Sequence, residues 1–218
     1  MLTEDYLIRL IRLGTVAMAR LMGLKAQLLY QDAMYLLNQT LEEVFGMRAD
    51  LVRNLDDESL LDALTFQGNL DTDRLVLAAD LLREDSDLQA AFKNLEESRY
   101  SLQRALNFYV VAVLAGGPRL QADPADKITR LLGQVALDDL SESALFDLFN
   151  YHEMKGQYAQ AESILDHLAA KTLQADEIRQ ERQDFYGRLL AKSDTILLQG
   201  GVERRDILAK LAQIGTDL

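Results

Sequence analysis

Two apolar stripes of helical period, separated by a single glycine, constrain this chain more than any other feature. In the stretch Ser141–Lys171, Leu145, Leu148, Phe149 and His152 fall at i, i+3, i+4 and i+7, which is one face of a helix. Gly156 follows, where a helix can end in a left-handed residue without steric cost. A second face then begins with Tyr158, Ala161, Ile164, Leu165 and Leu168. Ala161 is small, so two helices can approach closely there. The spacing therefore predicts a helical hairpin joined at Lys155-Gly156-Gln157.

The pattern Leu145-x2-Leu148-Phe149-x2-His152-x3-Gly156-x-Tyr158-x2-Ala161-x3-Leu165-x2-Leu168 resembles a tetratricopeptide repeat, whose unit is a helix–turn–helix of about 34 residues. Phe149, His152 and Leu168 depart from the small, aromatic and alanine residues the family prefers, and Leu173 stands in the place of its closing proline. Two weaker copies of the spacing follow from the same comparison. Tyr30, Ala33, Leu37 and Thr40, preceded by Ala17, Leu21 and Leu24, outline a candidate repeat at 14–46. Leu75, Ala78, Ala79 and Leu82, then Leu88, Ala91, Leu95 and Ser98, outline one at 72–104, with its turn expected at Glu84-Asp85-Ser86-Asp87. With the hairpin at 142–175 these make three candidate repeats. The N-terminal Asp5-Tyr6-x-x-Arg9-x-Ile11 stretch also resembles a family of uncharacterised bacterial proteins, from which no function carries over.

Between the repeats the pattern is less regular. Asp57 is expected to cap a short helix over Glu58–Phe66, closed by Gly68-Asn69. A helical pattern continues to Leu114, and Gly116-Gly117-Pro118 breaks the chain. Asp123-Pro124 opens the next helix, which carries Ile128, Leu131, Leu132 and Val135. A charged helix over about Leu173–Leu190 and a last one over about 203–214 complete the chain. The last offers Ile207, Leu208, Leu211 and Ile214 as the sealing stripe of a terminal cap.

Composition supports helices throughout: there are 2 prolines in 218 residues, and 49% of residues are hydrophobic. The formal net charge of −12 opposes binding to nucleic acid and to anionic lipid. Asp56 to Asp87 is the most acidic stretch, with only Arg74 and Arg83 as cations, and is expected to face solvent. Absence of cysteine fits a cytoplasmic protein. The apolar run Leu7–Leu24 is interrupted by Arg9, Arg12 and Arg20, so neither a membrane span nor a signal peptide is expected.

The motifs of common catalytic and metal sites are incomplete. His152-Glu153 begins H-E-x-x-H, but Gly156 stands where the second histidine must be. His152 and His167 lie on neighbouring expected helices, where one packed and one surface histidine is the simpler reading. Asp71-x-Asp73 and Asp85-x-Asp87 lack the glycine of a calcium loop. The glycine pairs are not followed by the Lys-Ser/Thr of a phosphate loop, and no serine sits in a G-x-S-x-G elbow.

The expectation is therefore an all-α chain over 1–218, with antiparallel hairpins stacked into a short, irregular tetratricopeptide-like solenoid. Neither a cofactor, a metal nor catalysis is expected. The resemblance implies an interaction module that binds a protein or peptide. It places Phe146, Asn150 and Tyr151 on the candidate partner-binding face. Asn150 stands where some tetratricopeptide domains hold a peptide carboxylate, but Phe146, Met18 and Val76 occupy the places of the basic partners, so no carboxylate clamp is expected. The alternatives are a homodimer without a separate ligand, and a small-molecule binder or enzyme with a pocket between hairpins.

Overall fold

The computed structural model describes residues 2–171 and 175–216, with side chains described over 5–171 and 176–214. Leu173, expected at the place of the closing proline, lies outside the described residues. The fold is all-α, with twelve α-helices and one minimal β-hairpin among the described residues. The chain divides into two compact units, Met1–Val135 and Ala136–Leu218.

The first unit contains α1 (Leu2–Ala26), α2 (Tyr30–Phe45), α3 (Ala49–Asn54) and α4 (Asp57–Ala63). Strands β1 (Thr65–Phe66) and β2 (Asn69–Leu70) then pair antiparallel. The helices α5 (Thr72–Ala91), α6 (Leu95–Leu114) and α7 (Ala125–Leu132) complete it. The helix expected over Glu58–Phe66 is thus shorter. Asp56, not Asp57, caps it by accepting the Ser59 N–H at 2.7 Å. Gln67 and Gly68 then take positive φ of 50° and 76°, the pair of left-handed residues that a tight two-residue hairpin turn demands.

α5 is the axis of this unit. It packs along α6 and also touches α1 and α2. Leu75, Val76, Leu77, Ala78, Ala79, Leu81 and Leu82 are all buried, so apolar residues surround the first half of the helix, while a narrow stripe with Asp87 and Ala90 stays exposed further along. The expected turn at Glu84–Asp87 is overturned: these residues continue α5, and the turn lies at Phe92-Lys93-Asn94. Nothing in Glu84–Asp87 forbids helix, and packing against α6 outweighs the modest preference of Asp and Ser for turns.

Three of the helices that end in a left-handed cap close a hairpin in the same way. Leu28 has φ 60° and the Leu29 N–H donates to the Leu24 carbonyl at 2.9 Å. Lys93 has φ 67° and the Asn94 N–H donates to Gln89 at 2.9 Å. Gly156 has φ 71° and the Gln157 N–H donates to His152 at 2.9 Å. Only the third of these turns carries the glycine that makes it readable from sequence.

The second unit opens with a short 3-10 turn (Leu137–Asp139), then α8 (Glu142–Met154) and α9 (Tyr158–Lys171) form an antiparallel hairpin. Leu145, Leu148, Phe149 and His152 are buried against Tyr158, Ala161, Ile164, Leu165 and Leu168, which are buried too. α10 (Ala175–Leu190) packs on α9 and on α12 (Arg204–Thr216), with the short α11 (Asp194–Gln199) between them. Phe149 meets Phe185 edge-on at 5.3 Å between ring centres. In α12, Ile207 is buried but Leu208 is half exposed, so the sealing stripe is narrower than expected. Arg204 closes the C-terminal end of α10 by donating to the Leu190 carbonyl at 2.8 Å.

Two close approaches hold this unit together. Ala161 has no exposed surface, and Ala161→Leu is expected to lower stability by about 1–3 kcal/mol through overpacking. A Cβ at Gly200 would stand 2.1 Å from the Tyr158 ring and 2.7 Å from the Gly156 carbonyl. Gly200→Ala should therefore destabilise the protein by a comparable amount, and thermal melts of the two variants that match the wild type would remove both contacts from the account.

Candidate functional site

Burial of α5 carries charged side chains into the protein. Glu84 and Asp85 have no exposed surface, and Asp73 is only 2% exposed. The acidic stretch Asp56 to Asp87 therefore does not uniformly face solvent, which corrects the sequence reading. Each of its buried carboxylates meets a donor from another element. Asp85 accepts from Arg53 of α3 at 2.7 Å and from the Ser101 hydroxyl of α6 at 2.6 Å. Glu84 accepts from Lys25 at the end of α1 at 2.6 Å, and also from neighbouring Arg83. Asp80 accepts from the Tyr109 hydroxyl of α6 at 2.5 Å and from Lys127 of α7 at 2.6 Å. Asp73 accepts the backbone N–H groups of Arg119 and Leu120 at 3.1 and 2.9 Å, which ties down the loop before α7. Burial and the adjacent Asp80 push the Tyr109 phenol far above its ordinary value.

A polar cleft of about 590 Å³ opens beside this network, between α3, α5 and α6. Arg53, Asp85, Ser101 and Arg104 line it, with Glu96 and Glu97 among its acidic lining groups. Arg104 is almost wholly buried. It donates to Asp57 at 2.7 Å and to the carbonyls of Val52 and Leu55 at 2.9 Å each, and its guanidinium lies 5.0 Å from the centre of the Tyr100 ring. Arg53 reaches Asn38 at 2.7 Å as well as Asp85. Both Asp85 oxygens are engaged, and so are the donors of Arg104. What this arrangement does chemically is fasten α3, with its carbonyl-rich C-terminal end, to α5 and α6.

The sequence-derived partner residues all lie on α8, and they separate there. Phe146 is 39% exposed and lines a hollow of about 400 Å³ with Leu168 and Ile178. Asn150 lines a different hollow of about 520 Å³ with Glu153, Tyr158 and Lys192. Tyr151 is buried. His152 is buried and bonds Gln157 through Nδ1 at 2.7 Å, and burial lowers its pKa. His167 pairs with Asp138 at 3.1 Å near the surface. The two histidines therefore have separate partners. Among the described residues no group of three or more His, Asp and Glu side chains is placed to hold a metal ion.

For α1 the sequence reading puts Arg9, Arg12 and Arg20 near one polar stripe and Ile8 and Leu13 on a wide buried face, but Ile8 and Leu13 are exposed. Ile8, Arg12, Val16 and Arg20 follow one another at i, i+4, i+8 and i+12, with Arg9 and Leu13 beside them, and all six are exposed. The three arginines make no ion pair among the described residues. The apolar stripe that does face inward is Leu10, Ala17 and Leu21, together with Gly14, where a Cβ would stand 2.5 Å from Leu77. The signal was the breadth of apolar coverage on α1, which exceeds what one buried face uses.

No protein-family model matches this sequence, and neither a curated protein nor a solved structure is similar to it. The fold and its sites therefore rest on their own geometry.

Removing one member of a buried pair strands the other. Asp85→Ala is expected to cost about 3 kcal/mol, and Arg53→Met combined with Asp85→Leu to cost less than that single change. Chemical denaturation of the three proteins decides, and equal losses in the single and double variants would reject the pairing argument.

Asp147 on α8 behaves differently: it has no hydrogen-bond partner among the described residues, and burial raises its pKa to about 6. A carboxyl raised in the fold binds its proton more tightly folded than unfolded. Its penalty is absent below its ordinary value of 3.8, grows as the pH rises toward about 6, and persists above that. Asp147→Asn should raise the melting temperature at pH 7.5, and the gain should vanish near pH 4. A difference independent of pH would show that ionisation of Asp147 is not its cause.

Proposed function

We propose that this chain is a non-catalytic interaction module that binds a partner protein through the outer face of α1. The carrying observation is the alternation of exposed Ile8, Leu13 and Val16 with exposed Arg9, Arg12 and Arg20, which make no ion pair among the described residues. This occurs in a protein whose formal net charge is −12. Apolar groups left in water on one helix favour a covering surface. Three cations on the same face favour a covering surface that is acidic. The partner that fits is an amphipathic helix with leucine-like residues on one side and glutamate or aspartate at its margins. A second copy fits less well, because pairing α1 with itself brings one arginine row against another.

Further features support this class of function. The hairpins α1/α2 and α5/α6 of the first unit and α8/α9 of the second each close through a left-handed residue, which supports tetratricopeptide-like hairpins within each unit as the finer architecture. The buried charges of α5 are engaged in holding helices together, which favours a scaffold over a reactive centre. No helix among the described residues is long and apolar enough to cross a membrane. With the absence of cysteine, this agrees with action in the cytoplasm. Phe146 and Asn150 are a second place for a peptide, in the hollows beside α8.

A designed acidic amphipathic peptide is the direct probe, followed by fluorescence anisotropy. It should bind the wild-type protein, weaken as salt rises, and lose about tenfold or more in affinity to Arg9→Glu combined with Arg12→Glu. Leu13→Ser with Val16→Ser should weaken it at every salt concentration. Equal binding of a peptide with lysine in place of glutamate, or no loss in either variant, would reject α1 as an acidic-helix receptor.

A further inference from the structure

A second cavity, of about 550 Å³, lies in the first unit on the other flank of α1, facing α7. Its volume falls in the range of sites that enclose small organic ligands. Met18 and Met22 of α1, Leu77 of α5, Leu102 of α6 and Leu131 of α7 supply its apolar surface. The two methionines are unbranched and only partly covered, so they can adjust around an apolar guest.

The charged groups at this cavity are not balanced. Arg83, Lys127 and Arg130 line it, against the carboxylates Asp80 and Asp87. Asp80 is held by Lys127 and the Tyr109 hydroxyl, 2.6 and 2.5 Å away. Asp87 is held by Lys25 at 2.6 Å and by Arg83 at 3.5 Å. Both acids are thus satisfied within the protein. Arg130 is exposed and makes no ion pair among the described residues. One positive charge stands in surplus at the edge of an apolar pocket. The Gln134 side chain beside it uses its amide N–H on the Arg130 carbonyl at 3.3 Å.

We infer that this cavity binds a small amphipathic carboxylate, with its hydrocarbon body against Met18, Met22, Leu77, Leu102 and Leu131 and its head on Arg130. An amine head would meet the surplus cation and is excluded by it. A neutral head would leave the guanidinium without a counter-charge. A phosphate monoester brings more negative charge than the single surplus cation balances, and a carboxylate matches it with two oxygens suited to the planar donors of arginine. The site is separate from the outer face of α1 and does not depend on partner binding there.

The six methionines of the chain give a local readout. With the methionine methyl groups labelled with ¹³C in the full-length protein, titration with decanoate should shift the Met18 and Met22 signals and leave Met34, Met47 and Met154 in place. Arg130→Gln lies at an exposed position, should fold normally, and should weaken decanoate by about tenfold, the loss of one charge-assisted contact. Decylamine should produce no saturable shift. Met18→Glu places a like charge in the cavity and should abolish decanoate binding even if Arg130→Gln falls short of the expected loss. Shifts at all five internal methionines together would mean detergent-like partitioning and overturn the proposal. So would stationary Met18 and Met22 signals, equal binding of decylamine, or unchanged affinity in both variants.

Discussion

The burial of α5 over most of its surface sets the terms for the first unit. Only a narrow stripe of α5, with Asp80, Arg83 and Asp87, reaches toward solvent, which is too little to hold all of its charges. Asp73, Glu84 and Asp85 are part of the helix and are buried. An ionised carboxylate in such a place is tolerated only if donors reach it. Those donors come from α1, α3, α6 and the loop before α7, and Lys127 of α7 reaches the part-buried Asp80, so satisfying the charges of one helix fixes the positions of four others. Apolar packing alone is non-directional and would permit α3 or α7 to slide. The paired charges supply the register.

The same logic separates the two kinds of concavity in this unit. In the cleft beside Arg53 and Arg104 the guanidinium groups are engaged by carboxylates and by the carbonyls of α3, so its polarity is an internal fastening. In the cavity facing α7 the acids are engaged, while Arg130 and two methionines remain available. Availability of a charged group, rather than its presence, distinguishes a surface that can take a ligand from one that closes the fold. The arginines on the outer face of α1 meet the same criterion.

The second unit is stabilised by different means. Its centre is aromatic, with Phe149, Phe185 and Tyr186 buried together, and its ion pairs lie nearer the surface. Close backbone approach replaces buried charge as the organising device: Gly200 lies against Tyr158, and the Ala159 N–H donates to the Gly200 carbonyl at 2.9 Å. Among the described residues Asp147 lacks the compensation that the buried carboxylates of α5 receive. Its pKa rises instead.

Helical class and the α8/α9 hairpin were legible in the sequence, because periodic apolar faces and a left-handed glycine are local properties. The apolar positions named from spacing alone, from Leu145 to Leu168, are the buried ones. The turn after α5 was not legible, because Lys93 adopts a left-handed conformation that its side chain does not advertise, while Glu84–Asp87 carries the composition of a turn and none of its geometry. The fate of the acidic stretch was likewise decided by tertiary structure. Whether a carboxylate is solvated or buried depends on cations such as Arg53, Lys25 and Lys127, which are near it in space and distant in sequence. Phe146, Asn150 and Tyr151 share a helix by sequence, but their accessibility is set by how neighbouring chain covers that helix. Periodicity determines which residues can form a face. Only the packed chain decides what that face meets.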